Sequence, residues 1–113
     1  MFVKDLHISY LLDFYGEILS PKRRKVMLLY YNEDLSLGEI AQELGIARQG
    51  IWEQIKKAEE ELLTYEEKLG LAGRFERLRE DARKLNRLLE DEPLSEKARA
   101  GVRAYLDEVE EIL

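Results

Sequence analysis

The chain has 113 residues, one domain's worth of material with room for a modest core. Hydrophobic residues make up 45% and charged residues 37%, with two prolines and no cysteine, a balance that points to helices with long solvated faces and excludes disulfides, zinc ribbons and thiol chemistry. A net charge of −6 counts against a free-standing, tight DNA binder, because phosphate neutralisation supplies most of that affinity.

The first stretch, MFVKDLHISYLLDFYG, lacks a basic n-region, an uninterrupted apolar run and a small-residue cleavage site. With no apolar run long enough to span a bilayer, a soluble, cytoplasmic protein without membrane association is expected. A first helix is expected over residues 3–19. Leu11, Phe14, Tyr15 and Ile18 recur at i, i+3, i+4 and i+7, and Ile8, Leu12 and Leu19 widen that face. His7 is the single histidine, and with no second ligand or nucleophile in view it reads as a structural or surface residue.

Ser20-Pro21 starts the second helix, serine as N-cap and proline at the first helical position. This helix runs to about Asn32, with Val26, Leu29 and Tyr30 as its core face. Lys22, Arg23, Arg24 and Lys25 crowd its first two turns, where cations oppose the helix dipole. Either an anionic partner or acidic neighbours within the fold would account for them.

Asn32-Glu33-Asp34 reads as a turn, and Ser36 with Glu39 forms the S-x-x-E capping box of a third helix. Ile40, Ala41 and Leu44 face inward, Gly45 takes the left-handed turn position, and Ile46 plugs the turn. The fourth helix begins near Ala47 or Arg48 and buries Ile51, Ile55, Ala58 and Leu62. Apolar, small, glycine and apolar residues at these offsets specify a helix-turn-helix. Its open face carries Arg48, Gln49, Trp52, Glu53, Lys56 and Lys57.

The second helix of such a motif lies in the DNA major groove and reads bases with its N-terminal half. Arg48 suits guanine and Gln49 adenine, whereas Lys56 and Lys57 suit phosphate. Trp52 has two readings: stacking on an unpaired base, or partial burial against another helix. Gly50, inside the helix, costs about 1 kcal/mol relative to alanine and marks a close approach by some neighbour.

From Pro21 to Leu62 the chain resembles region 4 of bacterial sigma factors, the part that reads promoter DNA. Over YLLDFYGEILSPKRRKVMLLYYNEDLSLGEIA and IKKAEEELLTYEEKLGL it resembles more closely the YlxM family of small bacterial helix-turn-helix proteins. That resemblance covers about the first 70 residues well and implies a regulatory role connected with the signal recognition particle. The turn commonly reads G-I-S-R, and here Ala47 stands for the serine, removing a helix cap worth about 1 kcal/mol and a phosphate contact.

Gly70 and Gly73 bracket a break. A helix over residues 74–89 follows, with a heptad seam of Phe75, Leu78, Ala82, Leu85 and Leu89. After the turn at Glu90–Pro93, a helix over residues 95–113 repeats the rhythm with Ala98, Val102, Tyr105, Val109 and Ile112. Two such seams joined by a short turn imply an antiparallel hairpin. Leu88, Leu106 and Leu113 widen the stripes, which favours a dimer surface over packing on the first helix. Arg74, Arg77, Arg79, Arg83, Lys84 and Arg87 give the first hairpin helix a cationic surplus, read either as RNA contact or as solvated ion pairs.

The expected architecture is therefore all-α: a sigma-region-4-like helix-turn-helix domain with an N-terminal helix over residues 1–70, and a hairpin over residues 71–113 that packs on it or dimerises. No catalytic constellation, cofactor loop or metal-ligand cluster is apparent, so a non-enzymatic protein is expected. Two functions fit. One is regulatory binding of duplex DNA by Arg48, Gln49 and Lys56, with Lys22, Arg23, Arg24 and Lys25 clamping phosphate. The other is an interaction module that docks the same scaffold on signal recognition particle RNA or its GTPase.

Overall fold

Local signals start and stop nearly every helix of the computed structural model, which describes residues 4–113. Helix α1 spans Leu6–Tyr15, and its N-cap Asp5 accepts a hydrogen bond from the His7 N–H at 2.8 Å. A single 3-10 turn over Gly16–Ile18 follows. Helix α2 spans Pro21–Tyr31 behind its Ser20 cap, whose hydroxyl accepts from the Arg23 N–H at 3.3 Å. Helix α3 spans Leu37–Leu44 and α4 Arg48–Leu69. Gly70 ends α4 in the left-handed conformation at φ 62°, and α5 runs Leu71–Asp91. Helix α6, Glu96–Ile112, starts from Ser95, whose hydroxyl accepts from the Ala98 N–H at 3.1 Å. The described residues contain helices and no strands, an all-α protein.

The chain divides into two compact units, Met1–Ala72 and Gly73–Leu113. In the first, α4 is the spine: α1, α2 and α3 each pack against it. Its buried residues Ile51, Ile55, Ala58 and Leu62 form one stripe that meets Leu11, Tyr15, Val26, Met27 and Ile40, all almost wholly buried. Each such side chain contributes about 2 kcal/mol of burial. The Tyr15 hydroxyl donates to Glu66 at 2.5 Å and accepts from the Leu71 N–H at 3.1 Å, while Glu66 also accepts from the Ala72 N–H at 3.1 Å. That node draws the start of α5 into the first unit, where Ala72 is buried. For this reason α5 begins at Leu71, three residues earlier than the glycine spacing implies, and Gly73 is inside it.

Several expectations need correction. The first helix ends at Tyr15, and residue 3 lies outside the described residues. Ile18 was expected on the apolar face but is 55% exposed, because the 3-10 turn breaks the 3.6-residue register. On α2, Met27 takes the wholly buried place expected for Leu29, which is half-buried.

The hairpin also differs. Its buried residues are Ala82, Leu89 and Leu106, whereas Leu78, Leu85, Ala98, Val102, Tyr105, Val109 and Ile112 of the expected seams are exposed. On α5 the expected seam residues Ala82 and Leu89 are the buried ones, whereas on α6 the buried stripe lies one residue on, so that Leu106 packs inward and Tyr105 is 72% exposed.

Candidate nucleic-acid interface

The geometry of α3, turn and α4 follows from four residues. Ser36 and Glu39 close the capping box in both directions: the Ser36 hydroxyl accepts from the Glu39 N–H at 3.1 Å, and the Glu39 carboxylate accepts from the Ser36 N–H at 3.0 Å. These bonds hold the Glu39 carboxyl below its ordinary range, through the Ser36 backbone first and its hydroxyl second. Gly45 turns the chain at φ 68°, and the Ile46 N–H reaches back to the Ala41 carbonyl at 3.1 Å. Ile46 packs against the core, as expected of a plug.

Ala47 caps α4 with backbone alone; no side chain bonds the first N–H groups of that helix. The close approach at Gly50 comes from within. A Cβ there would stand 3.0 Å from the Ile46 Cγ2.

Because Ile51, Ile55, Ala58 and Leu62 point inward, a 100° step per residue sends Gln49, Glu53, Lys56 and Glu60 directly outward. Arg48 and Trp52 lie on one flank of that outward face; Gln54, Lys57 and Glu61 lie on the other. Arg48, Gln49, Lys56 and Lys57 are exposed. Trp52 is half-buried and lines a shallow depression with Leu37, Arg48 and Gln49, its ring overlain by the Lys56 ammonium at 5.0 Å. Both readings of Trp52 have a basis here, since the indole leans on the scaffold and still presents a face. Leu37 was overlooked as a wall of this depression, although it extends the Ile40, Ala41, Leu44 periodicity back by one step.

The basic run on α2 does not act as one group. Arg23 turns inward to α4: its Nε donates to the Gln54 side chain at 3.1 Å, and its guanidinium pairs with Glu61. An acidic neighbour within the fold accounts for this cation. Lys22, Arg24 and Lys25 are exposed, and no ion pair is recorded for them among the described residues. Arg24 and Lys25 border a depression with Leu28, Leu29 and Glu33. Lys57 borders another with Arg23, Glu60 and Glu61. The nine expected residues thus fall into an α4 group of Arg48, Gln49, Trp52 and Lys56, an α2 group of Lys22, Arg24 and Lys25, and Arg23 with Lys57 beside acids.

On the far side of α4 from Arg23, the Tyr31 hydroxyl donates to Glu59 at 2.8 Å, so α2 is tied to both flanks of the helix. Burial, with the Glu59 bond second, raises the Tyr31 pKa well above its ordinary value. Lys4 pairs with Asp34 at 2.6 Å, bonds the Tyr30 carbonyl and overlies the Tyr30 ring. The bond from Lys4 lowers the Asp34 pKa. Among the described residues no group of three or more His, Cys, Asp or Glu side chains could hold a metal, and no helix is long and apolar enough to cross a membrane.

Residues 2–101 match the family model UPF0122, described as "Putative helix-turn-helix protein, YlxM / p13 like". The chain belongs to the UPF0122 family. UPF0122 relatives are similar over most of their length. The UPF0122 protein of Halalkalibacterium halodurans is 43% identical over 100 residues, covering 88% of this chain and 92% of the relative. That of Bacillus cereus strain AH187 is 42% identical over 105 residues, covering 92% and 96%. That of Exiguobacterium sibiricum is 49% identical over 73 residues, covering 65% and 69%. The YlxM resemblance seen in the residues is the family the chain belongs to, and a helix-turn-helix family agrees with the geometry of α3 and α4.

Proposed function

We propose that this UPF0122 protein is a regulatory helix-turn-helix protein that binds nucleic acid with the outward side of α4, in the setting of the signal recognition particle pathway. The observation that carries this reading is the exposed set Arg48, Gln49 and Lys56 on a helix braced from behind by Ile51, Ile55 and Ala58. A helix held rigidly on one side and studded with base-reading and phosphate-binding groups on the other suits major-groove docking. Lys22, Arg24 and Lys25 add phosphate contacts, and Trp52 with Lys57 flanks the surface. The reading is of a non-enzymatic protein, in keeping with a helix-turn-helix family, that needs no cofactor and works in the cytoplasm as a homodimer through its C-terminal helices.

A second reading has its own support. The net charge of −6 and the diversion of Arg23 to Glu61 weigh against a tight duplex binder, whose affinity comes largely from phosphate neutralisation. The same scaffold would then dock on signal recognition particle RNA or on the particle's GTPase.

Competition between duplex DNA and signal recognition particle RNA at physiological salt separates the two. Under the first reading duplex binding survives the RNA, and Arg48→Ala with Lys56→Ala weakens it at least tenfold, the lost Arg48 base contact alone costing about 1–3 kcal/mol. Failure to shift any duplex at low salt removes the first reading, and a partner RNA or protein that displaces duplex favours the second.

A further inference from the structure

The Gly73–Leu113 unit is too thinly cored to stand as it is. Only Ala82, Leu89 and Leu106 are buried in its hydrophobic cluster. Meanwhile Leu78, Leu85 and Leu88 of α5 and Val102, Tyr105 and Val109 of α6 are 39–72% exposed.

These side chains share a face. Measured from the buried residue of its own helix, each exposed stripe is turned in the same rotational sense, and in an antiparallel pair that brings both stripes to one side. The antiparallel pairing is fixed by the Arg79 guanidinium on the Leu113 carbonyl at 2.7 Å and the Asn86 amide on Glu110 at 3.1 Å. Together with Ile112, which is 80% exposed, these side chains form a contiguous apolar face, where monomers ordinarily leave only scattered single side chains uncovered.

Charge identifies the occupant. Along α5, Arg74, Arg77, Arg79, Arg83, Lys84 and Arg87 outnumber Glu76, Glu80 and Asp81, and the helix closes on Glu90 and Asp91. Helix α6 opens on Glu96, carries Lys97, Arg99 and Arg103 in its first half and ends with Asp107, Glu108, Glu110 and Glu111. Each helix therefore has a basic first part and an acidic end. Laid antiparallel on α6 of an identical hairpin, the basic part of α5 meets the acidic end of α6, and the acidic end of α5 meets Lys97, Arg99 and Arg103.

We infer that a second copy of this chain covers the α5–α6 face, making a two-fold antiparallel four-helix bundle. Neighbouring helices in such a bundle run antiparallel, and the seating of the two-fold axis that sets α5 beside the partner's α6 brings basic segments onto acidic ones. A basic or acidic foreign helix would match only half of the pattern. The inference details the homodimer of the proposed function, and its dimer carries two copies of α4 on one particle.

Sedimentation equilibrium of the full chain without nucleic acid tests this apart from any binding activity. The expected mass is twice the 13.3 kDa of the chain. Leu85→Glu with Val109→Glu shifts the species to monomer, and Asp107→Lys with Glu111→Lys raises the dissociation constant about tenfold. Because the chain has no native cysteine, Leu85→Cys and Val102→Cys, made singly, report pairing directly. Oxidation to a covalent dimer by either supports the inference even where the glutamate variants misfold. A monomer across the micromolar range, or a dimer unmoved by both variants, overturns it.

Discussion

Gly50 is a residue whose cost is visible in α4 and whose cause lies in the turn before it. Glycine inside a helix loses about 1 kcal/mol relative to alanine, yet a methyl group here would press on the Ile46 Cγ2 at 3.0 Å. Ile46 cannot easily yield, since its Cγ2 is fixed to a β-carbon that plugs the helix-turn-helix. Gly50→Ala is therefore expected to forfeit the stabilisation that helix propensity alone predicts. In the Ile46→Leu background, which lacks that methyl, the same substitution gains about 0.5–1 kcal/mol. Urea unfolding of the four proteins measures the coupling, and an equal effect of Gly50→Ala in both backgrounds would show that the contact is irrelevant. The cost of Gly50 was legible in the sequence; its neighbour was not, because only the folded turn brings Ile46 over it. Arg23 teaches the same lesson at longer range. Its partner Glu61 is 38 positions away, on another helix, and no local pattern joins the two.

At the scale of elements, capping and turn signals were the most readable features because they act within four residues. Ser20, Ser36 with Glu39, and Gly45 each do in the fold what their spacing announces. The fastening of α2 to α4 is of the other kind and rests on Arg23 and Tyr31 reaching opposite flanks of one helix. Tyr31 makes that fastening sensitive to alkali. Burial and the Glu59 carboxylate raise its pKa above the ordinary value of 10.0, and burial with Glu66 does the same for Tyr15. A group whose folded pKa is raised adds stability that is complete below its unfolded pKa and drains away as pH climbs beyond it. The unfolding midpoint in urea should thus hold up to about pH 9 and fall above pH 10. Tyr31→Phe should lower the midpoint at neutral pH and make the alkaline decline shallower. An unchanged decline in that variant would assign the sensitivity elsewhere. Glu39 has the opposite sign: its folded pKa is lowered, so the capping box contributes above its ordinary carboxylate pKa and weakens as pH falls through that region.

For the whole molecule, the two units differ in what holds them. The main core, from Ile8 to Ala72, falls entirely within the first unit and unites four helices around α4. The periodicities of α1 and α4 made most of that core readable, since Ile8, Leu11, Leu12 and Tyr15 and then Ile51, Ile55, Ala58 and Leu62 are all buried. By contrast, α3 buries Ile40 alone and α2 takes Met27 in place of Leu29. The hairpin was harder to read because its apolar stripes are wider than the seam that joins its own two helices. Periodicity finds the stripe but does not say which part faces the partner helix and which part faces outward. Three buried side chains, one of them alanine, offer about 5 kcal/mol of burial, against about 1–2 kcal/mol of backbone entropy for each residue ordered. A fragment of residues 1–72 should therefore fold cooperatively alone, giving a single urea transition and dispersed amide signals. A fragment of residues 73–113 should be largely unfolded when dilute and gain helix as its concentration rises, because only association buries Leu78, Leu85, Val102 and Val109. Circular dichroism from about 1 µM to 1 mM follows that transition, over the range where a standard-size interface with a dissociation constant in the micromolar region fills. Helicity already complete at the lowest concentration, and flat thereafter, would mean that the hairpin holds itself together. The exposed leucines would then need an explanation other than a second copy of the chain.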